Sequence, residues 1–385
     1  MRREEDERGF PSCLTVIMRI GIDASSMSGD RGGVGWHTFH LLHELLLQEH
    51  GGVDFVGYVR PGTLHQGQPD GFTEGTDIRW KEAARWLMRW RGRRDRLDLY
   101  HGPNFKMHTT GRYGGVVTVH DLWLERYPEY SKKVFGQKAS SRRAKATVHR
   151  ARTVVTVSDF SAREIADIYG VPADRIAVIH NGVSADFQPI IDEAAIGSLA
   201  RELSLPVSGF ILFVGGADPR KNHRTFLKSV QQCLPALRGR AVVLVGDAVH
   251  PFGDYRETAR QLGIDAHLRC PGRMSRQQLR VLYSYADVFV FPSLYEGFGM
   301  PVLEAMACGA PVITSTTSAL PEVAGDAAIL VNPEDPEELG HAMVGLLDDP
   351  HAREQARSRG FARTKSFSWV DAAARTLSLY RRLCA

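Results

Sequence analysis

Two glutamates eight positions apart mark the stretch of this sequence that is best suited to chemistry. Glu296 and Glu304 lie within SLYEGFGMPVLEAMACGAPVI, from Ser293 to Ile313. The apolar run just before this stretch predicts a short buried strand, and Pro301 suits the first turn of a helix. We therefore expect Glu296 on a loop at the carboxyl end of a strand, and Glu304 one turn into the next helix. Ligands bind at that edge of an open parallel sheet.

A pair of cations follows another predicted strand end. Arg220 and Lys221 come shortly after Gly215 and Gly216, within FVGGADPRKNHRTFLKSV. Adjacent cations beside glycines suit a diphosphate, because they combine charge-assisted hydrogen bonds with close approach of the backbone. A solvated surface charge pair is the alternative, but the position at a strand end favours phosphate binding.

Two strand ends in the first half of the chain carry further candidates. Gly32, Gly33 and Gly35 lie between the first predicted strand and a helix, where a ligand could approach the backbone closely. The G-x-G-x-x-G spacing of dinucleotide-binding proteins is absent, and a tight turn without a ligand is the alternative. His120 directly follows an apolar strand. A lone histidine is often structural, but this position at the ligand edge favours a functional role.

Short apolar strands alternate with amphipathic helices along the whole chain. This alternation predicts parallel βαβ units, and two sets of about six strands predict two doubly wound α/β domains. The expected strands begin at Met18, Val53, Leu97, Gly115, Thr153 and Arg175, and then at Phe210, Ala241, His267, Asp287, Pro311 and Ala328. The expected segments are a loose extension over 1–17, an N-terminal domain over 18–188, a C-terminal domain over 189–365 and a final helix over 366–385.

Composition is that of a globular protein. Hydrophobic residues make up 43% and charged residues 24% of the 385 positions, and the net charge is only +4. Five cysteines form no C-x-x-C pair, which suits a reducing compartment and offers no metal cage. No apolar run approaches the roughly 18 residues of a membrane span, and the mixed charges at the start are wrong for a signal peptide. We expect a cytoplasmic protein.

Positive charge is concentrated between residues 79 and 152, where 19 Lys and Arg stand against 6 Asp and Glu. The segment RWKEAARWLMRWRGRRDR predicts a basic amphipathic helix, and such helices suit an anionic membrane surface. Its expected apolar face consists of Trp80, Ala83, Ala84, Leu87 and Trp90. The alternative is a solvated basic face whose tryptophans pack into the core. We expect no nucleic-acid partner, because no recognition motif accompanies the charge.

Taken together, these motifs resemble the retaining glycosyltransferases of family 4, which have the GT-B architecture of two Rossmann-like domains facing a cleft. Glu296 and Glu304 match the E-x7-E motif of that family, and the G-G…R-K loop matches its donor loop. The start MRIGIDAS and the sequence VHDL are most similar to a mannosyltransferase-like branch that acts in polysaccharide assembly. In this family the final helix returns to the N-terminal domain.

The resemblance implies a role for each motif. Arg220 and Lys221 would neutralise the leaving nucleoside diphosphate, Glu304 would accept the ribose hydroxyls, and Glu296 would accept a hydroxyl of the donor sugar. His120 would bind that sugar from the opposite domain. The remaining implied donor-binding residues are Gly33, Gly215, Gly216, Arg273, Met274, Phe298, Gly299 and Met300.

The resemblance also implies the reaction: transfer of a hexose with retention, without a cofactor and without a metal, since no D-x-D triplet occurs in the chain. The favoured donor is GDP-mannose, with a UDP-sugar as the alternative. The expected acceptor is a glycan or an oligosaccharide linked to a polyprenyl diphosphate, at the inner face of a membrane. A glycosidase with two carboxylates would need no Arg-Lys pair. A nucleotide-sugar epimerase and an inactive sugar-nucleotide-binding scaffold remain as alternatives.

Overall fold

The computed structural model describes residues 18–29, 31–49, 51–72, 76–131 and 137–385. The expected extension over 1–17 therefore lies outside the described residues. Within them, the strands form two large parallel sheets and one short antiparallel hairpin.

The first sheet has seven parallel strands in the order β3-β2-β1-β4-β5-β6-β7. Its strands are β1 (Met18–Asp23), β2 (Val53–Val59), β3 (Ile78–Glu82), β4 (Leu99–Gly102), β5 (Gly115–Val119), β6 (Thr153–Thr156) and β7 (Ile176–Val178). The second sheet has six parallel strands in the order β12-β9-β8-β13-β14-β15, and β10 pairs with β11 in the hairpin. These strands are β8 (Phe210–Val214), β9 (Ala241–Val245), β10 (Val249–His250), β11 (Gly253–Asp254), β12 (Leu268–Gly272), β13 (Val288–Phe291), β14 (Val312–Ser315) and β15 (Ile329–Val331).

Helices connect most consecutive strands and cover both faces of each sheet. In the N-terminal part they are α1 (Gly33–Leu47), α2 (Met88–Arg94), α3 (Trp123–Arg126), α4 (Gln137–Arg150) and α5 (Asp159–Tyr169). The others are α6 (Glu193–Glu202), α7 (His223–Gln232), α8 (Tyr255–Leu262), α9 (Arg276–Tyr285), α10 (Met300–Ala307), α11 (Leu320–Ala324), α12 (Pro336–Asp348), α13 (Pro350–Thr364) and α14 (Trp369–Cys384). None of these helices is both long and apolar enough to cross a bilayer.

Both large sheets follow the Rossmann strand order 3-2-1-4-5-6, in which the first strand lies between the second and the fourth. In the first sheet β7 is added at the edge beside β6. The strand order reverses between β1 and β4 in the first sheet and between β8 and β13 in the second. Loops diverge at such a point and leave a crevice beyond the carboxyl ends of the strands. The predicted class, two Rossmann-like doubly wound domains facing a cleft, is confirmed.

One stretch differs from the sequence prediction. Ile78–Glu82 forms the edge strand β3, where a basic amphipathic helix was expected, and the following helix spans only Met88–Arg94. Trp80 packs with Phe72 against the first core, their ring centroids 5.2 Å apart. The helix prediction was wrong because Ile78 and Trp80 alternate with Arg79 and Lys81, which is the period of a strand with one covered face.

The last helix, α14, completes the core of the N-terminal domain. Its buried side chains join those of β1 and α1 in a single hydrophobic cluster. Tyr380, which is fully buried, approaches Nδ1 of His101 to 2.5 Å, and His101 Nε2 lies 2.8 Å from the hydroxyl of Thr118. Burial lowers the pKa of His101 to about 3, so its ring is neutral at pH 7. The helix is thus fixed by apolar contact and by a buried polar pair.

We expect Tyr380→Phe to lower the free energy of unfolding by about 1–3 kcal/mol, because it leaves a buried imidazole nitrogen without a partner. Urea denaturation followed by circular dichroism measures this. Tyr100→Phe is the matched control, since the Tyr100 hydroxyl is equally buried but has no partner among the described residues. Equal stability of the two variants would contradict the structural role of this contact.

Candidate active site

A cleft of about 1090 Å³ lies between the carboxyl edges of the two large sheets. The N-terminal domain supplies its wall from the loops after β1 and β5, and the C-terminal domain from the loops after β8, β12 and β13. All of the predicted site residues line this cleft except Gly216, whose Cα faces the loop at Asp247.

A single 3-10 turn, Pro219–Lys221, presents the two adjacent cations. Asp218 begins the turn and accepts a hydrogen bond from the Arg220 N–H at 3.1 Å. Asn222 ends it with φ of +59°, a conformation that asparagine tolerates better than most residues. The Arg220 carbonyl also accepts the N–H of Leu294, at 2.8 Å, so the loop after β8 is tied to the loop after β13.

Lys221 and Glu296 form a buried ion pair in the floor of the cleft. The Lys221 Nζ lies 2.5 Å from Oε1 of Glu296, which also accepts the hydroxyl of Ser293 at 2.9 Å. Burial alone would raise the pKa of the Glu296 carboxyl, but the charges of Lys221 and Arg220 hold it below its usual value. Glu296 is therefore an ionised hydrogen-bond acceptor in the cleft.

Arg220 lies among three carboxylates without a close hydrogen bond from its Nε. Its nearest distances are 3.5 Å to Asp218, 3.7 Å to Asp121 and 3.9 Å to Glu296. The buried Nε has no hydrogen-bond partner among the described residues. An anionic ligand in the cleft can therefore take up hydrogen-bonding capacity that the protein leaves unused.

Two glycines shape the loop that carries Glu296. A side chain at Gly297 would approach the backbone carbonyl of His120, in the opposite domain, to 1.8 Å. Gly299 has φ of +105° and immediately precedes α10, which has no side-chain cap at its start. The N–H of Met300 therefore has no capping side chain at the cleft, whereas Pro301 has no N–H and Val302 donates to the Gly299 carbonyl at 3.0 Å.

Glu304, one turn into α10, faces the cleft beside Tyr283 and Arg276. Its Oε2 accepts the Tyr283 hydroxyl at 3.4 Å. Burial raises the pKa of Glu304 to about 7, although Arg276 and the Tyr283 hydroxyl act in the opposite direction. The two carboxylates of the motif thus differ, because only Glu296 has a cation in contact.

Two histidines form the opposite wall. His120 Nε2 donates to the carbonyl of Pro103 at 2.8 Å, which leaves Nδ1 of the neutral ring as an acceptor. His37 meets it edge to face at 4.6 Å between ring centroids, and its Nδ1 donates to Asn181 at 2.8 Å. Burial lowers the pKa of both rings, so both are neutral at pH 7.

The glycines and the rim residues that the sequence predicted to bind the donor lie around the same cleft. Gly33 is the first residue of α1, and a side chain there would meet no atom within 4 Å. Gly215 has φ of +158°, and its carbonyl accepts the Tyr255 hydroxyl. Arg273 lies at the rim, where it forms an exposed ion pair with Asp247, and Met274 follows it into the cleft.

Sequence reasoning missed His37, Asn181 and Arg276, all of which line the cleft. Arg276 lies over the ring of Trp36, with 4.2 Å from its guanidinium carbon to the ring centroid, and so joins the two domains. Its only sequence signal is its position shortly after the predicted strand that ends near Gly272. His37 and Asn181 are far apart in sequence, and only the fold brings them together.

A second contact between the domains lies beside the cleft. Glu322 of α11 accepts the N–H groups of Asp159 and Phe160 at 2.8 and 3.1 Å, at the start of α5, and lies 2.8 Å from His180 Nε2. Among the described residues, Asp159, His180 and Glu322 form a group close enough to hold a metal ion. Since both oxygens of Glu322 already accept hydrogen bonds, we interpret this group as an interdomain contact.

Two family models match the chain in succession. Residues 31–187 match the model for "Glycosyltransferase Family 4", and residues 204–363 match the model for "Glycosyl transferases group 1". The first covers most of the N-terminal domain and the second most of the C-terminal domain.

Curated relatives agree with these models. The O-antigen chain mannosyltransferase B of Escherichia coli is 34% identical over 293 residues, which are 75% of this chain and 76% of the relative. The serotype-specific mannosyltransferase WbdA of Escherichia coli is 32% identical over 243 residues, which are 62% of this chain but only 30% of that longer relative.

Solved structures share the fold at low sequence identity. Sucrose-phosphate synthase from Thermosynechococcus elongatus matches 95% of this chain and 99% of its own, with a TM-score of 0.74 and 20% identity. HepE from Anabaena, in complex with UDP and glucose, matches 94% and 99%, with a TM-score of 0.74 and 18% identity. The two domain models, the E. coli relatives and the cleft together show that this chain is a GT-B glycosyltransferase of family 4, in the mannosyltransferase-like branch, that transfers a sugar to a glycan acceptor.

Proposed function

We propose that the protein transfers mannose from GDP-mannose, with retention of the anomeric configuration and without a bound metal, to a glycan acceptor. The observation that carries this proposal is the cation turn at Arg220 and Lys221, which faces Glu296 across the floor of the cleft. The E. coli relatives, which are mannosyltransferases, support the choice of sugar. The choice of guanine as the base of the donor nucleotide rests on the resemblance to the mannosyltransferase-like branch.

The diphosphate of the donor binds between the cation turn and the glycine loop. Arg220 and Lys221 neutralise the leaving group, on which negative charge grows as the glycosidic bond breaks. Gly33, at the start of α1, adds a backbone N–H to the phosphate. Because Lys221 is paired with Glu296, an incoming phosphate shares the Lys221 charge with that carboxylate.

The two carboxylates of the motif bind opposite ends of the donor. Glu296 accepts a hydroxyl of the sugar, and the N–H groups of Phe298, Gly299 and Met300 bind the other side of that sugar. Glu304 accepts the ribose hydroxyls, and Gly215 gives the backbone room beside the diphosphate. Arg273 and Met274, at the rim, contact the base.

His120 completes the sugar site from the N-terminal domain. Its free Nδ1 accepts a sugar hydroxyl, and its ring is held by Pro103 and His37. The acceptor hydroxyl attacks the anomeric carbon from the face of the leaving diphosphate, whose oxygen takes the proton. This route gives retention without a covalent nucleophile on the protein.

Two other functions are less favoured than glycosyl transfer. A nucleotide-sugar epimerase would use the same donor contacts without an acceptor, and the relatives of this chain do not favour it. An inactive sugar-nucleotide-binding scaffold would keep the same contacts without turnover, and the mannosyltransferase relatives do not favour it either. Product analysis with and without acceptor separates transfer from epimerisation.

We expect Arg220→Ala and Lys221→Ala each to lower kcat by about 10²- to 10³-fold, because each removes a charge that stabilises the leaving diphosphate in the transition state. Steady-state rates with GDP-mannose measure this. Arg359→Ala, on the exposed side of α13, is the matched control, and thermal melting verifies that each variant is folded. Near-wild-type rates in both active-site variants would rule out the assigned role.

We expect transfer from GDP-mannose to give a product with retained configuration and to survive EDTA. Coupling constants in the NMR spectrum of the product report the linkage, and parallel assays with and without chelator report the metal requirement. UDP-glucose is the comparison donor. An inverted linkage, loss of activity in EDTA, or preference for the UDP-sugar each contradicts the corresponding part of the proposal.

The titration of Glu304 gives donor binding a specific pH dependence. Below pH 7 this carboxyl must lose a proton before it accepts the ribose hydroxyls as a carboxylate, since its pKa is raised to about 7. Affinity for GDP should then fall about tenfold for each pH unit below 7. Calorimetric titration from pH 5.5 to 8.5 measures it, and Glu304→Gln is the control for protonation of GDP itself. Parallel profiles of wild type and variant would refute the assignment.

We also propose that the protein rests on an anionic membrane surface through the region around α2. Trp86 and Trp90 are 81% and 53% exposed, and Arg94 lies over the Trp90 ring at 5.1 Å. Exposed aromatic rings beside cations suit the interface of an anionic bilayer. This surface replaces the helical face expected from the sequence, since Trp80 belongs to the core.

We expect the protein to sediment with anionic liposomes and not with neutral ones, and salt should weaken the binding. Replacing Arg89, Arg93 and Arg94 with glutamate should abolish it, because each cation near the surface contributes about 1 kcal/mol. Replacing Trp86 and Trp90 with serine tests the aromatic contribution separately. Equal sedimentation with both kinds of liposome would remove the membrane proposal and leave the glycosyltransferase assignment unaffected.

A further inference from the structure

Tyr295, the residue before Glu296, reaches across the domain interface into the N-terminal domain. Its hydroxyl accepts the N–H of Leu122 at 3.1 Å and lies 3.3 Å from Oε2 of Glu164 in α5. Because a tyrosine hydroxyl has a single hydrogen, that hydrogen is donated to Glu164 while the oxygen accepts from Leu122. Tyr295 and Glu164 are both buried. One hydroxyl thus joins a loop of the C-terminal domain to two separate segments of the N-terminal domain.

The carboxylate that accepts this hydroxyl is itself held from its other side. Arg126 donates from Nε to Oε2 of Glu164 at 3.3 Å, and its Nη2 also contacts Oε1. The Glu164 side chain is only 9% exposed. Tyr295 therefore binds a carboxylate whose position is set by α5 and by Arg126, so the hydroxyl has a defined place at the interface.

Three consecutive residues of the loop after β5 contact the C-terminal domain. The His120 carbonyl lies so close to Gly297 that a side chain there would approach it to 1.8 Å. The Asp121 Oδ2 lies 3.7 Å from Nη1 of Arg220. The N–H of the third residue is bound by Tyr295. Of these three contacts only the last is a hydrogen bond, so the Tyr295 hydroxyl fixes this loop against the loop after β13.

The ring of Tyr295 has a separate role in packing. It lies in an aromatic cluster with Phe160 and Trp123, whose ring centroids are 5.4 and 5.6 Å from its own. Phenylalanine at this position would keep the ring in that cluster and would remove only the hydroxyl. The contribution of the hydrogen bonds can therefore be measured apart from that of the packing.

We propose that Tyr295 is a positioning residue for sugar transfer, whose hydroxyl holds His120 at the distance from Glu296 that the donor sugar requires. This inference rests on the proposed function, which assigns those two side chains to the sugar. Tyr295 acts through the backbone, since Glu296 follows it directly and His120 lies two residues before Leu122. The nucleotide is held by the cation turn and by Glu304, which the Tyr295 hydroxyl does not contact, so binding of the nucleotide does not depend on it.

The test compares the wild type, Tyr295→Phe and Tyr127→Phe in transfer from GDP-mannose and in calorimetric binding of GDP. We expect Tyr295→Phe to lower kcat by about 10- to 100-fold, because misplaced substrate contacts slow the reaction, and to leave the dissociation constant of GDP unchanged. Tyr127 is the matched control: its ring lies in the same cluster, 4.4 Å from that of Trp123, but is 38% exposed. Tyr127→Phe should react as the wild type does, and thermal melting verifies that each variant is folded.

A double-mutant cycle with His120→Ala distinguishes positioning from a general loss of structure. If Tyr295 acts through His120, the double variant should be no slower than His120→Ala alone. Additive losses would overturn the proposal, and so would a wild-type kcat in Tyr295→Phe or a weakening of GDP binding as large as the loss of kcat. A failure of the proposed function appears in the wild type instead, as absent transfer from GDP-mannose, and the same comparison with UDP-glucose and UDP then tests Tyr295.

Discussion

The buried ion pair between Lys221 and Glu296 is the contact on which the carboxyl edge of the C-terminal sheet depends. Burying an unpaired charge costs several kcal/mol, so each of these groups requires the other. They are 75 positions apart in sequence. They meet because β8 and β13 are neighbours in the sheet, although four strands lie between them in the chain. The reversal of strand order is therefore what allows the cation turn and the glutamate loop to form one site.

The same loop also forms the interface between the domains. The Gly297 carbonyl accepts hydrogen bonds from the hydroxyls of Ser158 and Ser161, at 2.7 and 3.2 Å, at the start of α5. Glu322 pairs with the N–H groups of that same helix end. Any motion that separates the domains must break these contacts, and it must also withdraw His120 from the loop that carries Glu296. Opening of the cleft and separation of His120 from the Glu296 loop are consequently one event.

The features that could be predicted from the sequence are those that depend on local composition. Most strands are buried on both faces and appear as short apolar runs, so their starts were placed within two residues of those observed. The edge strand β3 was missed because only one of its faces is covered, and charged residues such as Lys81 alternate with apolar ones. Glu296 and Lys221 could be found because their residue types and strand-end positions carry the signal. Arg276 and His37 could not, since they reach the cleft only through contacts between distant segments.

The return of α14 to the first domain means that the order of the chain and the order of the domains do not coincide. The N-terminal core is built from residues at both ends of the sequence, and Tyr380 lies 279 positions from its partner His101. A chimera that exchanges the C-terminal domain with that of a related enzyme therefore needs two crossover points, one near residue 189 and one near residue 366. A single crossover would join the N-terminal sheet to a foreign last helix. The C-terminal domain is thus a central insert in the chain, between the two segments that build the N-terminal domain.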